Sequence, residues 1–292
     1  KQTDNEFRVL KEEGDHLHFC GRFMTRVIAG SKVNLNQHPF YVFILEYLQG
    51  GDLFDLGVNG IANAGLNRLF YVFYQLLLAV KCLHGRGLVH TDLKPENALV
   101  VNYETLHVKL TDFDGVTKEG QKGSPGTVKF NSPNRSTDAT YARDDWFASG
   151  LTLYLLTTGN NLLWDFDEDS RKVSRREALR LAPKVLEDAL HQIPLLPATK
   201  SFLPDKLFEV PDDEEEKKTE AAATLRAYLL KCFQVMTILE TNPNKAEGAM
   251  PDNMAKGIDD LVTTGEYLVT RYFPQNKDEQ TENEGLDEFI KT

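Results

Sequence analysis

Cysteine is scarce and dispersed. Cys20, Cys82 and Cys232 are the only three in 292 residues, and their spacing fits neither a metal knot nor a disulfide framework. Taken alone they read as buried thiols, a pattern that a secreted protein with few cysteines would share. Positive charge is also in deficit: 33 lysines and arginines face 44 aspartates and glutamates, a net charge of −11. That balance argues against broad binding to nucleic acid or to an anionic membrane and leaves only a local basic patch open. No signal peptide is evident. The most apolar run, Leu69 to Val80, carries Gln75 and is too short to cross a bilayer, so no transmembrane segment is expected. His16, His18, His38, His84, His107 and His191 show no metal-ligand spacing and read as ordinary surface or core histidines.

There is ample material for a core. A chain of this length with 41% hydrophobic residues suits one large domain or two lobes sharing a cleft. Residues 4 to 13 read as a helix. Phe40 to Tyr47 is an apolar, aromatic run ending at Gly50-Gly51, which suits a buried strand and turn. Leu66 to His84 has helical periodicity, with Leu69, Phe73, Leu76, Leu77 and Val80 on one face, and stops at Gly85-Arg86-Gly87. Val108 to Leu110 makes a short strand, and Asp144 to Thr157 an apolar helix for the centre of a lobe. The remainder looks largely helical apart from a loop from Leu203 to Lys218. That loop holds the acidic run Asp212-Asp213-Glu214-Glu215-Glu216, read as a solvated insertion, with docking of a basic partner as the alternative. Asp278 to Glu288 is similarly acidic and is expected to fray.

The chemistry concentrates in His90-Thr91-Asp92-Leu93-Lys94-Pro95-Glu96-Asn97 and, beyond it, Asp112-Phe113-Asp114-Gly115. One carboxylate with a lysine two residues on and a carboxamide five residues on, then a second carboxylate after a β-rich stretch, suits phosphoryl transfer. Such a reaction asks the protein for positioning and charge. Asp92 orients a hydroxyl and accepts its proton, Lys94 neutralises the transferring phosphoryl, and Asn97 with Asp112 holds Mg²⁺.

In these two motifs the chain resembles a protein kinase, in its catalytic loop and its metal motif. Further segments are similar in the same order. Ile44 to Leu53 resembles the last N-lobe strand and hinge, which implies Leu45 as gatekeeper, Glu46 and Leu48 beside an adenine, and Asp52 at a ribose. Gly126 to Asn134 is similar to the end of an activation loop, and Asp145 to Gly150 to the start of the central C-lobe helix. Asn5 to Leu10 resembles the regulatory helix, with Glu6 pairing a strand lysine. The resemblance implies an α+β, bilobal kinase-like fold: a reduced or truncated N-lobe over residues 1–48, and a mainly helical C-lobe over 49–292 with an acidic insertion near 204–218. His90 takes an architectural place in it. The implied cofactors are Mg²⁺ and ATP if the site is active, and the implied partners are protein substrates or protein ligands.

Several kinase features depart from the pattern. Lys1 stands too close to Glu6 to be the strand lysine, and no Gly-rich loop comes before it, which leaves either a trimmed chain or a protein without a phosphate-covering loop. Thr91 replaces the arginine that receives an activation-loop phosphate. Asp114 replaces a glycine where the backbone is expected to need glycine's freedom. Asn134 replaces the glutamate of Ala-Pro-Glu, and Asn242 to Ala246 lacks the arginine that usually pairs with it. Losing both members of a buried ion pair is tolerable, whereas losing one strands a charge.

The threonine in His90-Thr91-Asp92, the insertion containing Cys20 to Met24 and the short activation loop resemble the rhoptry-type secreted kinases of apicomplexan parasites. The absent phosphate loop is most similar to the branch without that loop, a cyst-wall pseudokinase among its members. That resemblance implies a secretory granule, vacuole or cyst wall as location. Two functions follow: a pseudokinase acting as a protein-binding scaffold or regulator, and an active Ser/Thr kinase with atypical nucleotide binding.

Overall fold

The computed structural model describes residues 20–36, 38–102, 106–160, 174–195, 215–238 and 250–272. Glu6, the expected helix over 4–13, Asn242 to Ala246 and the acidic segment 278–288 lie outside them.

The chain enters with a 3₁₀ turn at Gly21–Phe23 and forms an antiparallel hairpin, β1 (Val27–Leu35) and β2 (His38–Leu45). Here the expectation of a buried strand is corrected. Phe40, Val42 and Ile44 are 48%, 48% and 57% exposed. They alternate along β2, so all three share one face, opposite Val33, Ser31 and Ala29 of β1. The sheet has two strands among the described residues, and no third pairs with it. An apolar run reports what a strand can bury, not what covers it.

A short helix, α1 (Leu53–Val58), leads to α2 (Leu66–His84), the helix the periodicity marked out. It is buried around nearly its whole circumference. It is also longer than the apolar run read from the sequence, so by length and composition it could cross a membrane, and 89% burial inside the protein accounts for its apolar character. The amide at its middle is satisfied there: Gln75 Nε2 donates to Leu106 O at 2.9 Å, and Val108 N donates to Gln75 Oε1 at 3.3 Å. Gln75 thus fixes the entry to the strand that leads to Asp112.

Two small antiparallel sheets sit on this helix, β3 (Leu88–Val89) with β6 (Thr117–Lys118) and β4 (Ala98–Val100) with β5 (Val108–Leu110). Among the described residues, four long helices form the C-terminal part: α3 (Ala142–Thr158), α4 (Arg175–Gln192), α5 (Glu215–Met236) and α6 (Asp252–Tyr272). The central α3 is buried almost throughout and packs against α1, α2, α4 and α5. The last residues of the supposed loop, Glu215 to Lys218, form the first turn of α5 instead. Glutamates in a first turn complement the helix dipole, so an acidic run reads equally well as a helix start.

The cysteine reading is corrected as well. Cys20 and Cys82 form a disulfide with Cα atoms 5.8 Å apart, while Cys232 is free and buried. The partners lie 62 residues apart, a separation that carries no spacing signal because α2 alone brings Cys82 to the entering chain. Closing a loop of that size removes denatured-state entropy worth about 4 kcal/mol in a chain-entropy account. Beside the bridge, Thr25 N and Oγ1 both donate to Leu110 O, at 2.8 and 2.9 Å. The segment before β1 is therefore fixed to both α2 and β5.

Candidate active site

The catalytic-loop backbone is held by one buried carboxylate. Asp145, 1% exposed on α3, accepts from His90 N at 2.7 Å, Thr91 N at 3.0 Å and His84 Nε2 at 2.9 Å. Burial by itself would push this carboxyl up, but the His84 hydrogen bond, the charges of His84 and His90 and the His90 N–H hold it below the ordinary range. His90 is fully buried, its Nε2 meets Thr111 O at 2.9 Å, and its ring lies 5.7 Å from that of Phe113.

Thr91 sits at φ +72°, which is unusual for a β-branched residue. Its N–H is held by Asp145, and its Oγ1 donates to Gly115 O at 2.9 Å. A Cβ at Gly115 would lie 2.6 Å from Thr91 Oγ1. The glycine this contact needs is therefore residue 115. Asp114 lies in the 3₁₀ turn Phe113–Gly115 at ordinary φ, and the left-handed conformation falls on Asp112, at φ +63°. The expectation that Asp114 occupies a glycine conformation is thereby corrected: its departure is one of charge. Burial, and next to it the Asp112 charge, push the Asp114 carboxyl up.

Asp92 and Lys94 come together with Thr127. Thr127 Oγ1 donates to Asp92 Oδ1 at 2.7 Å, and Lys94 Nζ donates to Asp92 Oδ2 at 3.0 Å. Lys94 Nζ lies 3.4 Å from Thr127 Oγ1, and the three side chains close a small ring. Burial lowers the Lys94 pKa, but the Asp92 hydrogen bond and charge, with Glu96 and Asp112 beyond, more than reverse it and keep the ammonium charged. Asn97 Nδ2 donates to Asp92 O at 2.9 Å, which leaves Oδ1 as its acceptor. Thr111 N donates to Asn97 O at 3.0 Å, so the strand that ends at Asp112 is tied to Asn97.

The hinge residues are placed differently from one another. Leu45 is 43% exposed and Leu48 half-buried. The Glu46 carboxylate turns away into an ion pair with Lys109 of β5 at 2.6 Å and accepts from Arg26 N at 2.7 Å. Burial raises the Glu46 carboxyl, and the Lys109 hydrogen bond and the other contacts overcome this and lower it. Asp52 caps α1, its Oδ1 accepting from Asp55 N at 2.8 Å.

Sequence reasoning missed the arginines around the activation segment. Arg135 Nη1 donates to Asn131 Oδ1 at 2.8 Å and its Nη2 to Ser124 O at 2.7 Å. Arg175 Nη1 donates to Asn131 O at 2.9 Å and its Nη2 to Val128 O. Arg176 Nη2 donates to Asn134 Oδ1 at 2.7 Å. Asn134 is therefore not left partnerless by the loss of the usual arginine. Arg135 and Asn131 are four residues apart, but the contacts of Arg175 and Arg176 span more than 40 residues, so no sequence window displays them.

The donor set fits a hard cation. Asp112 is exposed, two carboxylates stand together at 112 and 114, and Asn97 offers an oxygen.

The sequence profile of the protein kinase domain matches residues 5–233. The chain belongs to that family. Curated relatives include the serine/threonine-protein kinase SBK1 of Danio rerio, 36% identical over 41% of this chain and 33% of its own length. Another is the serine/threonine-protein kinase chk-1 of Caenorhabditis elegans, 34% identical over 46% of this chain and 28% of its own. CBL-interacting serine/threonine-protein kinase 3 of Arabidopsis thaliana is 39% identical over 52% of this chain and 38% of its own. The chain thus spans about a third of the length of these three relatives. The family's fold, with mixed helix and strand and a helical C-terminal part, agrees with the architecture above, and kinase domains generally use ATP and Mg²⁺ when active.

Proposed function

We propose that this chain is a Ser/Thr-type phosphotransfer domain that moves the γ-phosphoryl group of ATP to a protein hydroxyl. The observation that carries this reading is the ring of Asp92, Lys94 and Thr127, in which each Asp92 carboxylate oxygen has a donor. An aspartate kept only for packing has no need of a charged lysine and a hydroxyl holding its two oxygens in the cleft.

In the reaction, Asp92 receives the proton of the acceptor hydroxyl as its oxygen attacks phosphorus. Thr127 and Lys94 together fix the carboxylate's rotation. Lys94 offsets charge spreading over the phosphoryl oxygens. Asn97 and Asp112 would hold Mg²⁺, which supplies charge neutralisation and nucleotide binding. The Asn97–Asp92 hydrogen bond couples metal position to base position. Glu46 contributes its backbone at the hinge, because its carboxylate is engaged by Lys109.

A scaffold role is the second reading, favoured by the charge of Asp114 beside Asp112. The secreted, rhoptry-type assignment belongs to this proposal too. Its support is Thr91 together with the Cys20–Cys82 disulfide, a bond that persists in oxidising compartments. Protein substrates or partners are expected.

Nucleotide binding tests the site. Clustered carboxylates at 92, 112 and 114 repel a triphosphate unless a cation intervenes. In calorimetry ATP will bind with Mg²⁺ and lose nearly all affinity in EDTA, and the thermal shift will follow ligand occupancy. Metal-independent, low-micromolar binding would contradict the metal-centred site, and absence of Mg·ATP binding would favour the scaffold.

A further inference from the structure

We infer that Arg175, at the first position of α4, is a positioning residue that orders the acceptor side of the site without phosphorylation. This rests on the phosphotransfer reading above. Its guanidinium spans two main-chain carbonyls, Asn131 O and Val128 O, of the turn that follows Thr127. That turn is closed by Phe130 N donating to Thr127 O at 2.9 Å. Thr127 in turn donates to Asp92 Oδ1. A chain of contacts therefore runs from α4 through the turn to the base.

Three observations single out Arg175. First, it stands in the first turn of a helix, where the macrodipole disfavours a cation, and Arg176 follows it directly. Such a placement needs a compensating acceptor, and the turn's carbonyls provide one. Second, Arg175 is half-buried, and burial lowers its pKa, so the charge has left water to make these bonds. Third, the turn is braced from its other side. Asn131 Oδ1 accepts from Arg135, its Nδ2 donates to Pro125 O at 2.9 Å, and a Cβ at Gly126 would lie 2.7 Å from both Thr91 O and Arg135 Nη1.

In kinases that are switched by phosphorylation, an arginine of the catalytic loop receives the phosphate that orders this segment. Here residue 91 is a threonine whose hydroxyl is engaged with Gly115 O. The ordering cations come from Arg175 and Arg135, and their acceptors are carbonyls and an amide that need no modification. The segment is thus held constitutively.

Hydrogen exchange on the full chain tests the clamp, with phosphotransfer measured in parallel. In Arg175→Met, amides within 124–134 will exchange about tenfold faster or more, while the body of α4 is unchanged. Catalytic efficiency for a Ser/Thr peptide will fall by a similar factor with KM for ATP unchanged. Arg175→Lys will restore little, because a point charge cannot span two carbonyls. Phosphatase treatment of wild type will leave exchange in 124–134 as it was. Asn131→Ala gives a second route, loosening 124–126 on the Arg135 side. Unchanged exchange in Arg175→Met, full rescue by lysine, or loosening after phosphatase would each overturn the clamp. A wild type that transfers no phosphate would refute the phosphotransfer reading instead, and exchange would still decide the clamp.

Discussion

Asp92→Asn will reduce phosphotransfer by about 10²- to 10⁴-fold, the range expected for losing a positioned general base. The substitution keeps size and shape and can still accept from Thr127 Oγ1. It cannot offer a second anionic oxygen to Lys94, nor take the acceptor's proton. Because the side chains of Asp92 and of its partners Lys94 and Thr127 are only half-buried and lie outside the apolar core, the variant will fold with nearly the wild-type melting temperature. Binding of Mg·ATP will survive, since Asn97 and Asp112 are untouched and Asn97 bonds only the main-chain carbonyl of residue 92. Equal incorporation of phosphate by wild type and variant, measured on purified protein, would show that Asp92 has another role.

Asp145→Ala will have the largest effect on stability, about 3–5 kcal/mol in denaturant unfolding. Truncation leaves the buried N–H groups of His90 and Thr91 without their acceptor and removes the partner of His84. It also releases Thr91 from a left-handed conformation that the bond helps to hold. The effect depends on pH with a defined sign. A carboxyl held below its unfolded value contributes stability that is whole above about pH 4 and is lost as pH falls through the folded value. The difference between wild type and Asp145→Ala will therefore be full at neutral pH and shrink in acid. Asp144 acts oppositely: burial pushes its carboxyl up to about 6. Its contribution declines as pH rises from about 4 to 6. The Asp145 charge is one of the causes that raise Asp144, so in Asp145→Ala the Asp144 carboxyl is raised less and its decline between about pH 4 and 6 is smaller; the comparison is therefore read below pH 4. A difference that grows below pH 4 would contradict the assignment.

Local signals were legible in the sequence, and remote contacts were not. The bounds of α2 followed from apolar periodicity and the Gly85-Arg86-Gly87 stop, and β5 from the short stretch Val108 to Leu110 before Asp112. Asp92, Lys94, Asn97 and Asp112 stood out in the sequence because phosphoryl transfer would need those groups within a short stretch of chain, and the structure joins Asp92 to Lys94 and Asn97 by hydrogen bonds. The Cys20–Cys82 bridge was not, because a separation of 62 residues is closed by tertiary packing. Nor was the exposure of Phe40, Val42 and Ile44, since strand pattern says which face is apolar and nothing of its cover. Asp114 misled for a different reason. The departure from the motif was visible, but backbone torsion decides which residue must be glycine, and that residue is Gly115. Arg135 and Arg175 were invisible because their acceptors are mainly carbonyls, which every residue carries.

Phosphoamino-acid analysis of a protein substrate after incubation with Mg·ATP tests the central claim most directly. The arrangement of Asp92, Lys94 and Thr127 predicts label on serine and threonine, lost in EDTA and lost in Asp92→Asn. Incorporation that persists in Asp92→Asn, or the absence of any transfer by folded wild-type protein that binds Mg·ATP, would contradict it.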